Sequence, residues 1–527
     1  MQTLEVNVRL SQSRLWDYQN QYFSRKGVEA WRNGEVPHYV TSHPVMANCY
    51  AELVFAFLQD RQRMTAASSL PNEPLYICEL GAGSGRFAYH FLTRLSALCQ
   101  ECDLPLQSFR YVLTDFTTSN LEFWRRHPSF ERYWSEGLLD MALFDAQQTE
   151  EITLLLSGTT LRANSLGSPL VVIANYVLDS LPQDLYYVHK GTLSHCLVTL
   201  ETAEPVDESE PAQALKKVKA RYLRRRCTEP PYPEPELASL LDRYSASTDN
   251  GYLLYPAIGL RCLRRLRALS GESGLLLLTA DKGSHLIGDL LSANPPELVR
   301  HGSVSLSVNY HAFKAICEAE GGIALFPDIG FNHVNVGALF MASDAIRYRE
   351  TARAYRRLVA EFGPDDFYSV ISHAKRSITE MLIEDLLAYL RLSLYDAHQF
   401  SHYYPRLMEL AEQASPREKT AMLDAVDQVW QLYYPLGEKR DLAFQLGSLL
   451  YELESYERAI FYFKQSARLY GGYIGTSYNL ALCCHMLDRV DQAEGYLRNL
   501  LSLEPDFEPA LELLEEYARS RELPEEK

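Results

Sequence analysis

The stretch Leu75-Tyr76-Ile77-Cys78-Glu79-Leu80-Gly81-Ala82-Gly83-Ser84-Gly85-Arg86 decides how the rest of the chain is read. Its apolar opening, residues 75–78, reads as a buried strand with Glu79 at the carboxyl end. Gly81, Gly83 and Gly85 then predict a tight turn into a helix, on which Phe87, Phe91, Leu92, Leu95 and Leu98 recur at the spacing of one buried face. A strand, a glycine turn and a helix N-terminus together let backbone approach a ligand closely. The spacing G-x-G-x-G followed by Arg86 fits neither the dinucleotide fingerprint nor the phosphate loop.

Further strands follow in order. Residues 109–115 read as a second strand ending in Asp115, whose carboxylate can take both hydroxyls of a ribose or else cap the helix after it. Residues 138–144 read as a third strand ending at Asp145-Ala146. The fourth, residues 169–175, runs into Asn175-Tyr176-Val177-Leu178-Asp179-Ser180-Leu181-Pro182. Ligands of open α/β sheets bind outside the carboxyl ends of the strands, so Asn175, Tyr176 and Asp179 are candidate catalytic residues, although Asp179 could also cap or pair locally. A β-hairpin is expected over 185–200 around His189-Lys190-Gly191-Thr192. The fifth strand, 274–281, ends at Asp281-Lys282-Gly283, and residues 326–329 and 334–341 read as a closing antiparallel pair.

Composition bounds the alternatives. At 527 residues the chain is long enough for two or three domains, and 47% hydrophobic with 23% charged residues is ordinary for a soluble protein. A net charge of −17 argues against wholesale nucleic-acid binding. No apolar run reaches the roughly 20 residues of a membrane span, and the N-terminus lacks the pattern of a signal peptide. Ten cysteines without a regular framework suit a reducing cytoplasm; one C-x-x-C, Cys99 and Cys102, without a second pair reads as idle rather than as a metal site.

Residues 1–35 read as helical and aromatic, a lid over a site or simply a packed helix, and residues 64–74 as a linker. Seven of the eleven residues 216–226 are basic, which reads as a solvated helix in an insertion near 201–250 or as a docking patch for an acidic partner. From about residue 345 the pattern becomes continuously helical, with 345–439 a connecting region. Over 440–520, Gly447 and Ala481, Leu450 and Cys484, Ala459 and Ala493, and Phe463 and Leu497 are each 34 apart, a period that resembles tetratricopeptide (TPR) repeats. Such a surface usually holds a peptide or protein; the alternative is that it only braces or dimerises the enzyme.

The motif Glu79-Leu80-Gly81-x-Gly83-x-Gly85 is similar to the first motif of class I S-adenosylmethionine (SAM) methyltransferases, a seven-stranded Rossmann-like α/β fold. That resemblance implies SAM as cofactor, with Glu79 and the three glycines at its methionine end, Asp115 at the ribose, and Asp145 and Ala146 at the adenine. The order of motifs narrows the resemblance to the MidA-type methyltransferases, which include the mitochondrial complex I assembly arginine methyltransferase. The family's Thr-Ser-Pro is matched by Thr41-Ser42-His43-Pro44, its Asn-Glu-x-x-Asp-Ala-Leu-Pro by residues 175–182, and its Asp-Tyr-Gly by Asp281-Lys282-Gly283. These matches imply substrate contacts at Thr41, Ser42 and Asp281, and a protein substrate with arginine as one candidate. Two positions depart: Tyr176 replaces a glutamate and Lys282 a tyrosine. A guanidinium needs carboxylates to hold it, so a non-catalytic SAM-binding scaffold and a small-molecule methyltransferase with repeats used for assembly stand as alternatives.

Overall fold

Strand β1 (Leu75–Glu79) lies in the interior of a seven-stranded sheet, buried at all five positions. With β2 (Phe109–Asp115), β3 (Leu139–Leu143), β4 (Leu170–Asn175), β5 (Leu275–Asp281), β6 (Ile323–Leu325) and β7 (Asn335–Met341), the order across the sheet is β6-β7-β5-β4-β1-β2-β3. Strands β1 to β5 pair in parallel, and β7 runs antiparallel to both β5 and β6. The chain moves outward from β1 through β3 and then returns to place β4 on the other side of β1. This reversal opens a crevice beyond the carboxyl ends of β1 and β4, where parallel sheets bind ligands. Burial on both faces explains why these strands read as apolar runs without alternation.

The computed structural model describes all residues except 1, 33, 37–38, 66–72, 206–209, 248–249, 301–302, 329, 343 and 523–527. Residues 66–72 of the linker expected over 64–74 and residues 206–209 of the insertion near 201–250 therefore lie outside the described residues, while residues 64 and 65 end a helix. Two compact units emerge, Met1–Ser369 and Val370–Lys527.

In the first unit, α1 (Arg14–Lys26) precedes α2 (Pro44–Thr65) and α3 (Arg86–Glu101), and Phe91 of α3 packs its ring 5.1 Å from Tyr111 of β2. The opposite face of the sheet is covered by α4 (Ala257–Ser270) and α5 (Tyr310–Ala319), which join Cys78, Val112 and Val172 in one buried cluster. A second sheet is built on the expected hairpin, Asp184–His189 and Thr192–Thr202.

Several expectations need correction. Residues 1–35 are not all helical: Gln2–Val8 is a strand that pairs antiparallel with Thr192–Thr202, held where Arg9 meets the buried Asp184 carboxylate. The basic stretch is a helix only through Lys217; Lys219–Arg226 is a strand on the other edge of Thr192–Thr202. The closing strand lies at Ile323–Leu325, ahead of the expected 326–329: Phe326 packs against Gly337, where a Cβ would stand 2.4 Å from its ring, and stacks on the His285 ring, while residue 329 lies outside the described residues. The helical region expected over 345–439 is divided, since Tyr348 stacks on Phe57 of α2 at 4.7 Å and Thr351 donates its backbone N–H to Asp60. Residues 345–369 thus belong to the first unit.

The second unit is helical. A short turn at Ile378–Glu380 is followed by the helix Ile383–Leu392, and Ala397–Ala411 starts where Asp396 caps the His398 N–H. Leu442–Glu452 and Tyr456–Tyr470 form one hairpin, Ile474–Met486 and Val490–Leu503 the next, and Glu508–Glu522 follows. All eight residues of the 34-residue period are buried. Gly447 leaves room for Phe463: a methyl group there would stand 2.8 Å from the ring.

Candidate functional site

The glycine turn follows β1 directly. Gly81, Gly83 and Gly85 have φ of 58°, 54° and 77°, the left-handed region that a side chain makes costly. The turn is fixed from outside by Trp124, which donates its indole N–H to the Gly83 carbonyl (2.9 Å), and by Thr114, whose carbonyl accepts from Ala82 (2.9 Å). The indole of Trp31, on the short helix Glu29–Arg32, lies against Gly83 so closely that a Cβ there would be 2.9 Å from it.

Two adjoining cavities, of about 130 and 150 Å³, flank this contact. One is bounded by Thr41, Ser42, Glu79, Gly83, Asn175, Asp179 and Lys282, and the other by Asp115, Phe116, Phe144, Asp145 and Ala146. Phe23, Trp31, Gly81, Tyr176 and Ser180 border both. The sheet and the N-terminal segment thus bring together every expected site residue except Gly85 and Asp281.

Glu79 is buried and accepts a hydrogen bond from the Tyr111 hydroxyl at 2.9 Å. Burial, with the nearby Asp115 charge, pushes its carboxyl up to about 8 against the lowering effect of that bond. Asp115 accepts from the Gly83 N–H (3.3 Å), the Thr117 N–H and hydroxyl (both 2.9 Å) and the Asn120 amide (2.9 Å). It therefore caps the segment after β2 and ties it to the glycine turn, as the local reading allowed, while bordering the cavity. Asp145 accepts the Gln147 N–H at 2.8 Å at the turn after β3.

Asn175 is oriented by the Tyr50 hydroxyl, which donates to its Oδ1 (3.0 Å), and its amide points to the Thr41 carbonyl (3.5 Å). Tyr176 adopts φ 54°, an uncommon conformation for a bulky residue that turns the chain sharply after β4. Its backbone N–H donates to Ala280 (3.0 Å), and burial with the neighbouring Asp281 charge pushes the phenol up.

Asp281 does not reach the cavity as expected. It is completely buried, and its Oδ2 accepts the N–H of Leu178 (3.0 Å) and of Asp179 (3.4 Å), so it holds the loop that carries Asp179 rather than a substrate. Burial raises both carboxyls, Asp179 to about 6 and Asp281 well above the usual range, and for Asp281 the neighbouring Asp179 charge adds to the effect. The Ser180 hydroxyl bonds to Asp179 at 2.8 Å.

The sequence offered Phe23 and Trp31 only as part of a lid or a packed helix, and gave Ser180 no role of its own. The density of aromatic residues between Trp16 and Trp31 was the available signal, but it suits packing equally well.

No family model matches the chain, and no curated protein matches it. Among solved structures it is similar to a superfamily member from Burkholderia thailandensis bound to S-adenosyl-homocysteine, with TM-score 0.37 and 16% identity over 67% of this chain and 84% of that one. The magnesium protoporphyrin IX methyltransferase from Synechocystis PCC 6803 with bound S-adenosyl-homocysteine gives TM-score 0.25 and 12% identity over 61% of this chain and 97% of that one. The CurJ carbon methyltransferase gives TM-score 0.25 and 14% identity over 63% and 69%. These likenesses are too distant to assign a role to any residue. Among the described residues no helix is long and apolar enough to cross a membrane, and no group of three or more His, Cys, Asp or Glu could hold a metal ion.

Proposed function

We propose that the chain is a SAM-dependent methyltransferase. What carries this reading is one juxtaposition: the glycine turn after β1, carboxylates at the ends of β2 and β3, and Asn175–Tyr176 at the end of β4 border two adjoining cavities at the reversal of strand order. The cavities divide as SAM does, into an amino-acid half and a nucleoside half. The charge of the methionine ammonium would favour the Glu79 carboxylate that burial otherwise disfavours, with the released proton passing to water, so that the two form an ion pair. The ribose would compete for Asp115, and the adenine would lie by Asp145 and Ala146.

Methyl transfer forms a bond from the acceptor to the methyl carbon as the carbon–sulfur bond breaks, leaving S-adenosyl-homocysteine. Much of the rate comes from holding the two in line. Thr41, Ser42 and Asn175 border the same cavity as Glu79 and Gly83, the acceptor would sit on their side of it, and Asp179, which also borders it, would take the proton the acceptor loses.

The substrate we favour is a protein, brought to the enzyme by the TPR-like hairpins of the second unit, with arginine as one candidate side chain. Support for this comes from the buried 34-residue period and from Asp179 as a carboxylate for a guanidinium. The non-catalytic scaffold has a specific observation in its favour, since Tyr176 fills the position of the family's glutamate. Calorimetry with SAM tests the site, and absence of binding would sink it. Labelled SAM incubated with lysate and the full chain tests the substrate: a labelled protein band is expected, whereas label only in small molecules would remove the protein reading.

A further inference from the structure

We infer that Trp31 and Phe23, from the N-terminal segment, complete with Tyr176 an aromatic enclosure for the cationic sulfonium of SAM; this rests on the cofactor reading above and adds residues to it that no motif contains.

The argument is one of position. A ligand that runs through both cavities must cross their junction, and the residues that border both mark that junction: Phe23, Trp31, Gly81, Tyr176 and Ser180. SAM has its sulfonium between its amino-acid half and its nucleoside half, so the charge falls at this junction when one half occupies each cavity. Three of the five junction residues are aromatic, and no basic side chain is among them. The ring of Trp31 is fixed there from two sides. It stacks on Phe23, with centroids 5.8 Å apart and planes 24° apart, and it rests on the backbone of Gly83. Phe23 is in turn braced edge-on by Phe116, 6.4 Å away, directly after Asp115.

An aromatic face attracts a cation through its quadrupole, and more strongly when water is excluded. S-adenosyl-homocysteine lacks the methyl group of SAM and has a neutral sulfur. An aromatic enclosure around the sulfur therefore favours the substrate form over the product form, which aids release after transfer. Simple hydrophobic packing of Trp31 on the glycine turn would not distinguish the two.

The test is calorimetry of SAM and S-adenosyl-homocysteine with the full chain and with the Trp31→Ala and Trp31→Phe variants. Thermal melts confirm that each variant is folded. Trp31→Ala is expected to weaken SAM binding by about three- to thirty-fold and to weaken S-adenosyl-homocysteine binding much less. Trp31→Phe, which retains an aromatic face, is expected to recover most of the difference. Equal losses for both ligands, or no loss, would overturn the enclosure while leaving the cofactor reading intact. Failure of the unaltered chain to bind either ligand would overturn the cofactor reading, and the enclosure with it.

Discussion

The carboxyl of Asp281 lies beneath that of Asp179, so that the loop after β4 rests on a buried pair of acids. The pair has a cost at neutral pH. Asp179 titrates near 3.8 when unfolded and at about 6 in the fold, so between these values the native state keeps a proton that the unfolded chain has released. Its stabilising contribution is full below about pH 4 and is lost as pH rises through about 6. Glu79 extends the same decline from about 4.5 towards 8. Asp281→Asn keeps an acceptor for the backbone N–H groups and removes one of the two raised carboxyls. Its thermal midpoint is expected to fall less steeply with rising pH than that of the unaltered chain, because one group that keeps its proton in the fold no longer titrates. Thermal melts from pH 4 to 9 check this, and parallel curves would show that Asp281 does not keep its proton in the fold.

Gly83 is required both for its backbone and for its neighbour. A Cβ there would sit at φ 54° and 2.9 Å from the Trp31 ring. Gly83→Ala is expected to cost about 1–2 kcal/mol of stability in denaturant melts and to weaken SAM binding at least ten-fold. Combining it with Trp31→Ala removes the clash but not the backbone strain. The double variant is therefore expected to be more stable than the sum of the two single effects, by a coupling of about 0.5 kcal/mol or more.

Asp115 joins the glycine turn to the segment after β2 through four hydrogen bonds. Asp115→Ala is expected to reduce affinity for SAM by ten-fold or more in calorimetry, with a fall in the thermal midpoint from the lost cap. Unchanged SAM affinity in a folded Asp115→Ala variant would confine this carboxylate to its local capping role.

The second unit can be followed separately because Trp430 is the one tryptophan of the five that lies in Val370–Lys527. It packs edge-on against Tyr462 at 5.3 Å. Gly447→Val would drive a side chain into Phe463 at the contact between Leu442–Glu452 and Tyr456–Tyr470. The Trp430 fluorescence transition is expected to move to lower denaturant by about 1–3 kcal/mol, the usual cost of overpacking. Trp31→Phe, by contrast, should leave the Trp430 signal unaltered.

The central sheet was legible because parallel strands are buried on both faces and so read as apolar runs, and because each ends in a residue with distinct chemistry: Glu79, Asp115, Asn175 and Asp281. The remainder depended on partners distant in sequence. Gln2–Val8 alternates too weakly to declare a strand, and its pairing partner is far along the chain. Lys219–Arg226 is dominated by basic residues suited to an exposed edge, where charge guards against unwanted pairing, and no local pattern separates that from a solvated helix. Asp281 shares its position in the motif order with substrate-contacting residues of the resembled family, but the backbone N–H groups of Leu178 and Asp179 claim it. Trp31 illustrates the same limit, since only the fold brings it to Gly83.

The pairing of Gln2–Val8 with Thr192–Thr202 bears on how the protein is made. Val8 meets Val198 and Gln2 meets Thr202, so once made this strand must wait for roughly 200 further residues, or roughly 10–40 s of translation, before its partner exists. Throughout that interval the aromatic segment behind it, with Phe23 and Trp31, has no anchored strand to hold it in place. The part of the chain that roofs the cleft is thus synthesised before the central sheet and fastened after most of it, and a nascent chain halted before residue 192 would carry its glycine turn and β1 to β4 without that fastening.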